Sequence, residues 1–184
     1  MPVSSSNACR VSRRGAGRRL IAATLAAALF AASAQESLKT IALMKFELVD
    51  DTGDRASDEA QKVRLAMISE QLRIAFSESR LYAVVDNAPA AALIDDLESR
   101  LALHDCNGCD LDIGRALNAD RVLTAWVQKV SNLILNINIQ VRDVKTGLIM
   151  VNKSVDIRGN TDESWSRGIR YMVRSMVEKN QANR

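Results

Sequence analysis

The sequence predicts an α/β fold: a single domain with a mixed β-sheet of about five strands, in the order β-α-β-α-α-β-β-β-α, and helices packed chiefly on one face. Three observations carry this expectation. A β-prone run at 40–49 is followed by stretches whose apolar residues recur at helical spacing. After residue 120, three strand-like runs follow one another across short turns, which demands antiparallel pairing. In the middle run Leu133, Leu135, Ile137, Ile139 and Val141 point one way while Asn136, Asn138, Gln140 and Arg142 point the other, so its sheet has one apolar and one polar face.

The elements follow in chain order. The stretch TIALMKFELV at 40–49 is apolar on both faces early and alternates later, as a strand inside a sheet does, and it ends in the turn Asp50-Asp51-Thr52-Gly53-Asp54. From Asp58 to Ser79, Leu65, Ile68, Leu72, Ala75 and Phe76 fall on one helical face. Residues 82–85 form a short strand. Asn87 and Pro89 open a second helix, with Leu93, Ile94, Leu97 and Leu101 inward. Asp110 is placed to cap a short third helix, DLDIGRALN, which stops near Asn118. The strands at 121–130, 133–144 and 148–157 come next, joined by Ser131-Asn132 and Lys145-Thr146-Gly147. A final helix over 162–179 buries Trp165, Ile169, Met172, Val173 and Met176, with Arg167, Arg170 and Arg174 along another flank.

Residues 1–34 read as a secretory signal: a basic segment with Arg10, Arg13, Arg14, Arg18 and Arg19, an apolar run at 20–32, and Ala32-Ser33-Ala34 as the cleavage motif. The run is too short for a stable membrane anchor, and no cysteine follows it for lipidation. Arg13-Arg14 raises twin-arginine export, but Gly15-Ala16-Gly17 replaces the apolar residues expected after that pair. Residues 35–184 then form one exported, periplasmic domain with no membrane span after cleavage. The leader holds five of the 25 basic residues and none of the 22 acidic ones, so the remainder carries 20 against 22, a net charge of −2. That balance argues against a sequence-independent nucleic-acid binder, which needs a strongly positive field.

The run CNGCDLDIGRALNADRVLTAWVQKVSNLILNINIQVRDVKTG from Cys106, continued by VDIRGNTDESW at 155–165, resembles an uncharacterised family of bacterial exported proteins, domain of unknown function 3280. The resemblance spans essentially all of residues 35–184, and WVQKVSNLILNIN and RGNTDESW are its specific segments. More distantly, TIALMKFELVDDTGD, GRALNADRVLTAWV and the DVKTG turn are similar to the amino-terminal domain of TolB-type envelope proteins. The resemblance implies an interaction module of the cell envelope, not an enzyme, with an envelope or periplasmic protein as partner. Family context further implies an association with periplasmic quinoprotein alcohol oxidation. The cysteine loop departs from the TolB-type pattern.

Residues 104–112, HDCNGCDLD, allow several chemistries. Haem attachment requires histidine directly after the second cysteine, where Asp110 stands. A zinc site draws three ligands from His104, Cys106 and Cys109 and needs Asp105, Asp110 or Asp112 to complete it. A redox pair gains from the helix beginning near Asp110, but the surrounding acids oppose a thiolate. The favoured reading is a disulfide between Cys106 and Cys109 closing the loop around Asn107-Gly108, with thiol-disulfide exchange and metal binding as rivals. Asp50, Asp51, Asp54, Asp58 and Glu59 lack the ligand spacing of a calcium loop and read as a solvated turn leading into a helix. The candidate partner-binding row is Asn136, Asn138 and Gln140 with Trp126 and Gln128 of the preceding strand; the plainer alternative for that row is a solvated sheet surface. Arg158-Gly159-Asn160-Thr161 reads as a turn and helix cap. No constellation indicates a cofactor, a metal site or a named reaction.

If the apolar run at 20–32 belongs to a cleaved leader, the exported protein begins at Gln35, and intact mass of a periplasmic fraction will give residues 35–184. A species that retains 20–32 would identify the run as an anchor.

Overall fold

The computed structural model describes residues 37–54, 56 and 58–182, and the expected leader and its cleavage point lie outside them. The described residues form the expected mixed sheet and four helices, in the order β1 (Thr40–Asp50), α1 (Asp58–Ser79), β2 (Ala83–Val84), α2 (Ala91–Arg100), α3 (Cys109–Ala116), β3 (Arg121–Lys129), β4 (Ile134–Asp143), β5 (Ile149–Arg158) and α4 (Asp162–Ala182). The sheet order is β2-β1-β3-β4-β5. β1 pairs in parallel with β2 and β3, whereas β3, β4 and β5 form an antiparallel meander. Among the described residues no helix is long and apolar enough to cross a membrane.

The alternation of β4 organises the core. Leu135, Ile137, Ile139 and Val141 are all fully buried, and complete burial of such a side chain contributes about 1.5–3 kcal/mol. With Ile41, Phe46, Leu123 and Val127 they meet Ile68, Leu72 and Phe76 of α1 and Trp165, Ile169 and Met172 of α4. α4 approaches closely because residue 168 is glycine: a Cβ there would lie 2.6 Å from Ile137 and 2.8 Å from Ile157. The two short helices cover one end of the opposite face, where Ala42, Met44 and Val122 pack with Ile94, Leu111 and Ile113. The two long helices thus lie on one face, as the sequence predicts, and the short pair leaves part of the other face open.

RGNTDESW starts α4: Gly159 takes φ +82, the Thr161 and Ser164 side chains accept each other's backbone N–H at 3.2 and 3.1 Å, and Trp165 Nε1 donates to Asn160 Oδ1 at 3.0 Å. The expected turn and cap are therefore present. In β1 the register slips between Leu43 and Phe46, a bulge. Side chains satisfy its freed backbone groups: Phe46 N–H donates to Ser69 Oγ at 2.9 Å, and Asn87 Nδ2 donates to Leu43 C=O at 2.8 Å.

Several expectations need correction. Leu101 and Leu133 are exposed, because periodicity read from sequence runs past the element ends: Leu101 is the extended C-cap of α2 and Leu133 lies in the turn before β4. Asn87 and Pro89 open a 3₁₀ turn, Ala88–Ala90, and α2 starts after it. Asp110 does not cap α3; Gly108 holds that position at φ +105, and Asp110 is buried in the first turn, where Arg142 Nη1 donates to it at 2.9 Å. The acidic turn at 50–54 is not merely solvated. Lys129, at the buried end of β3, has no exposed side-chain surface, and its Nζ lies 2.9 Å from Asp50 and 3.4 Å from Asp54. The parallel pairing of Asp50 with Lys129 brings the turn over the ammonium. Asp58 and Glu59 do occupy the first turn of α1 as expected.

Partial burial by itself would raise the Asp50 pKa, but hydrogen bonds from Thr52 and Lys129 outweigh it and hold the carboxyl down at about 2. Its contribution to stability is therefore complete above its ordinary value of 3.8 and is lost as pH falls toward 2. Asp50→Asn is expected to cost about 2–3 kcal/mol at neutral pH, because it strips a buried ammonium of its nearest carboxylate, whereas Lys129→Met costs no more than about 1 kcal/mol. Denaturant titrations from pH 4.5 to 2 check both: the acid-dependent loss should be smaller in Asp50→Asn. Equal costs for the two variants would refute this account of the pair.

Candidate functional site

Antiparallel register assigns the polar row to one surface. Gln128 pairs with Asn136, Trp126 with Asn138 and Thr124 with Gln140, and β5 continues the rows with Asp156, Ser154 and Asn152. Directly paired residues share a face, so the sequence-predicted residues Trp126, Gln128, Asn136, Asn138 and Gln140 stand together, on the face opposite α1 and α4. α2 and α3 cover the end of this face around Ala42, Met44 and Val122. Trp126, Gln128, Asn136, Asn138 and Gln140 remain partly exposed, and Asn152, Ser154 and Asp156 are exposed. Asn152, Ser154 and Asp156 were missed from sequence, although their alternation with Val151, Val155 and Ile157 is a usable signal.

The row is partly cross-braced. Asn136 Nδ2 donates to the Asp156 carboxylate, Asn138 Nδ2 donates to Asn136 C=O at 3.2 Å, and Gln128 Nε2 donates to Asp51 at 3.1 Å. These contacts hold amide side chains flat against the sheet and leave an extended polar surface without a deep cleft. One concavity is lined in part by Leu38, Tyr82, Met150 and Met176, away from this row, and another lies between β5 and α4 and reaches the row only at Ser154 and Asp156.

The cysteine loop forms the rim of this surface. Glu47 of β1 pairs in register with Trp126, and its carboxylate accepts the backbone N–H groups of Leu103 at 2.7 Å and His104 at 2.9 Å. The His104 Nδ1 is 2.6 Å from the same carboxylate, and the imidazole stacks on Trp126 with ring centroids 5.1 Å apart. Three hydrogen bonds and a ring contact thus moor the segment before Cys106 to the sheet. Neither Glu47 nor the contact between His104 and Trp126 is legible in the sequence, because the three residues are far apart along the chain and only the β1–β3 register collects them.

The sulfurs of Cys106 and Cys109 lie at disulfide-bonding distance, with Cα atoms 5.9 Å apart. Cys109 begins α3 and is buried, and its N–H donates to Cys106 Sγ at 3.0 Å. The acids of the motif have separate engagements: Asp110 with Arg142, and Asp112 with Arg115 at 2.6 Å. His104 is turned to Glu47 and Trp126. Among the described residues no group of three or more His, Cys, Asp or Glu side chains gathers as a metal-ligand set.

Compared with known proteins, residues 39–177 match the family model DUF3280, described as a protein of unknown function (DUF2380). No curated protein matches the chain. Among solved structures it is similar to the LpoB C-terminal domain from Salmonella enterica, at 17% identity, covering 66% of this chain and 84% of that one with a TM-score of 0.49. It is also similar to lipoprotein GNA1162 from Neisseria meningitidis, at 18% identity, 79% and 97% coverage and a TM-score of 0.44. TolB from Acinetobacter baumannii is 12% identical, with 74% of this chain and 28% of that one covered and a TM-score of 0.40.

A four-residue cross-linked loop removes little chain entropy, so replacing Cys106 and Cys109 by serine should cost no more than about 2 kcal/mol. In exported protein the pair is expected to be oxidised, since no other cysteine lies in residues 35–184. Alkylation without reductant should then modify neither residue. Two reactive thiols on freshly isolated native protein would instead favour a metal-binding or exchange role.

Proposed function

Because this chain belongs to the DUF3280 family, whose description is a protein of unknown function, we propose its role from its surface: a non-enzymatic binding or assembly module of the periplasm that recognises a protein partner through the open polar half of its sheet. Residues 1–34 direct export and are removed with it, and residues 35–184 act as one domain.

The observation that carries this reading is the row Trp126, Gln128, Asn136, Asn138 and Gln140, left uncovered by α2 and α3 and rimmed by a moored loop. A face that only needed to meet water would gain nothing from asparagine, which strands disfavour. Amide side chains bind partner backbone and side chains without the desolvation cost of charges. A stacked Trp126 supplies apolar area at the edge of the row, as aromatic anchors do at interfaces. The Cys106–Cys109 disulfide closes the turn that follows His104 beside this surface. The partner is an envelope or periplasmic protein; its placement beside quinoprotein alcohol oxidation rests on the family resemblance alone.

The test is in-cell cross-linking of tagged protein, wild type against Asn138→Thr/Gln140→Thr. Threonine suits strands better than either amide, so the thermal midpoint should stay within a few degrees while the cross-linked species disappear. Unchanged cross-links in a folded double variant would remove the polar face from recognition.

A further inference from the structure

β5 is an outer strand of the sheet, ten residues long. Just beyond it, Gly159 N–H donates to Leu133 C=O. By the alternation of antiparallel pairing, the backbone groups of Val155 and Ile157 turn toward β4, and those of Asn152, Ser154, Asp156 and Arg158 turn away from the sheet. Long edges are usually blunted by proline, a bulge or a covering element. Residues 152–158 contain no proline, and the register shift of this pair lies at the other end, between Val141 and Arg142.

What flanks the edge is predominantly positive charge. A groove of about 740 Å³ runs between β5 and α4, and its charged lining is Arg158, Arg167, Arg170 and Arg174 against Asp156 alone. The Asp156 carboxylate already accepts a hydrogen bond from Asn136. The ion pairs of Arg167 with Glu163 at 3.6 Å and Arg174 with Glu178 at 3.9 Å are exposed, hence weak and exchangeable. Residues 35–184 carry a net charge of −2, so the positive groove is a local feature. Spacing fits as well. Alternate side chains of a strand are about 6.8 Å apart, close to the separation of about 5–6 Å between residues one helical turn apart, such as Arg167, Arg170 and Arg174.

We propose that the outer edge of β5 accepts an extended acidic segment of a partner protein as a sixth strand, with every second side chain meeting the arginine flank of α4. Backbone pairing supplies affinity and the arginines select sequence. Nucleic acids and anionic lipids satisfy the charge but have no N–H and C=O ladder for the edge. This surface adjoins the polar face at Ser154 and Asp156, but its arginines belong to α4 and to the end of β5, and its test does not depend on the cross-links that report on the polar face.

The experiment uses residues 35–184 and a twelve-residue peptide alternating glutamate with valine, followed by amide NMR and calorimetry. The expected result is binding that perturbs the amides of 152–158, weakens with salt, and falls at least tenfold in Arg167→Glu/Arg170→Glu/Arg174→Glu. Ser154→Pro removes one outward N–H at a position where an edge strand tolerates proline, and it too should lower affinity at least tenfold; unchanged melting curves for both variants confirm folding. A lysine–valine peptide should not bind. The proposal is overturned if the acidic peptide fails to perturb 152–158 at millimolar concentration, or if Ser154→Pro leaves its affinity intact. It is also overturned if DNA or anionic vesicles shift the same amides equally well, or if sedimentation shows the edge occupied by a second copy of the chain.

Discussion

The alternation of β4 is the constraint on which the rest of the molecule depends. Leu135, Ile137, Ile139 and Val141 have no exposed surface, and hiding that row requires helices long enough to span the sheet. α1 and α4, at 22 and 21 residues, supply them. Once the apolar row is turned to α1 and α4, Asn136, Asn138 and Gln140 must face the other way, because the side-chain period of a strand is two. The polar surface is thus a geometric consequence of the core. Its composition is not: a solvated face is compatible with threonine, lysine or glutamate, and here it consists largely of amides with one stacked tryptophan.

Burying a sheet this thoroughly raises a polar problem at its margins, and paired side chains solve it. Lys129 ends β3 inside the apolar layer and is held by Asp50 and Asp54. The bulge of β1 exposes backbone groups that Ser69 and Asn87 satisfy. Arg142 reaches Asp110 and ties α3 to β4, and Thr40 and Asp120 exchange hydrogen bonds where β1 and β3 begin. Removing one partner leaves a buried donor or charge uncompensated, so each pair fixes register more than it adds net stability.

The same logic gives the cysteine loop its place. A disulfide spanning so few residues constrains the loop itself and says little about where the loop lies. Position comes from Glu47, which accepts two backbone N–H groups and faces the His104 ring, and from Trp126 beneath that ring. Held in this way, the segment before Cys106 lies against Trp126 beside the polar face. The arginine-lined outer strand β5 lies across the sheet from it, so the described residues present two regions of different character, one rich in amides, the other in arginine.

What the sequence by itself determined is what depends on neighbours along the chain. The order of elements, the buried stripe of α4, the two-sidedness of β4 and the cap at Thr161 all follow from periods of 3.6 and 2 and from local turn chemistry. Local reasoning failed where the period outran the element, at Leu101 and Leu133, and where a residue had two roles open to it, as Asp110 did between cap and ion pair. Only the tertiary structure decided that the acids at 50 and 54 surround Lys129, that Glu47, His104 and Trp126 meet, and that Arg158 joins the flank of α4. Each of these joins residues from separate elements, and parallel β1–β3 pairing across an intervening helical segment sets a register that no local pattern encodes.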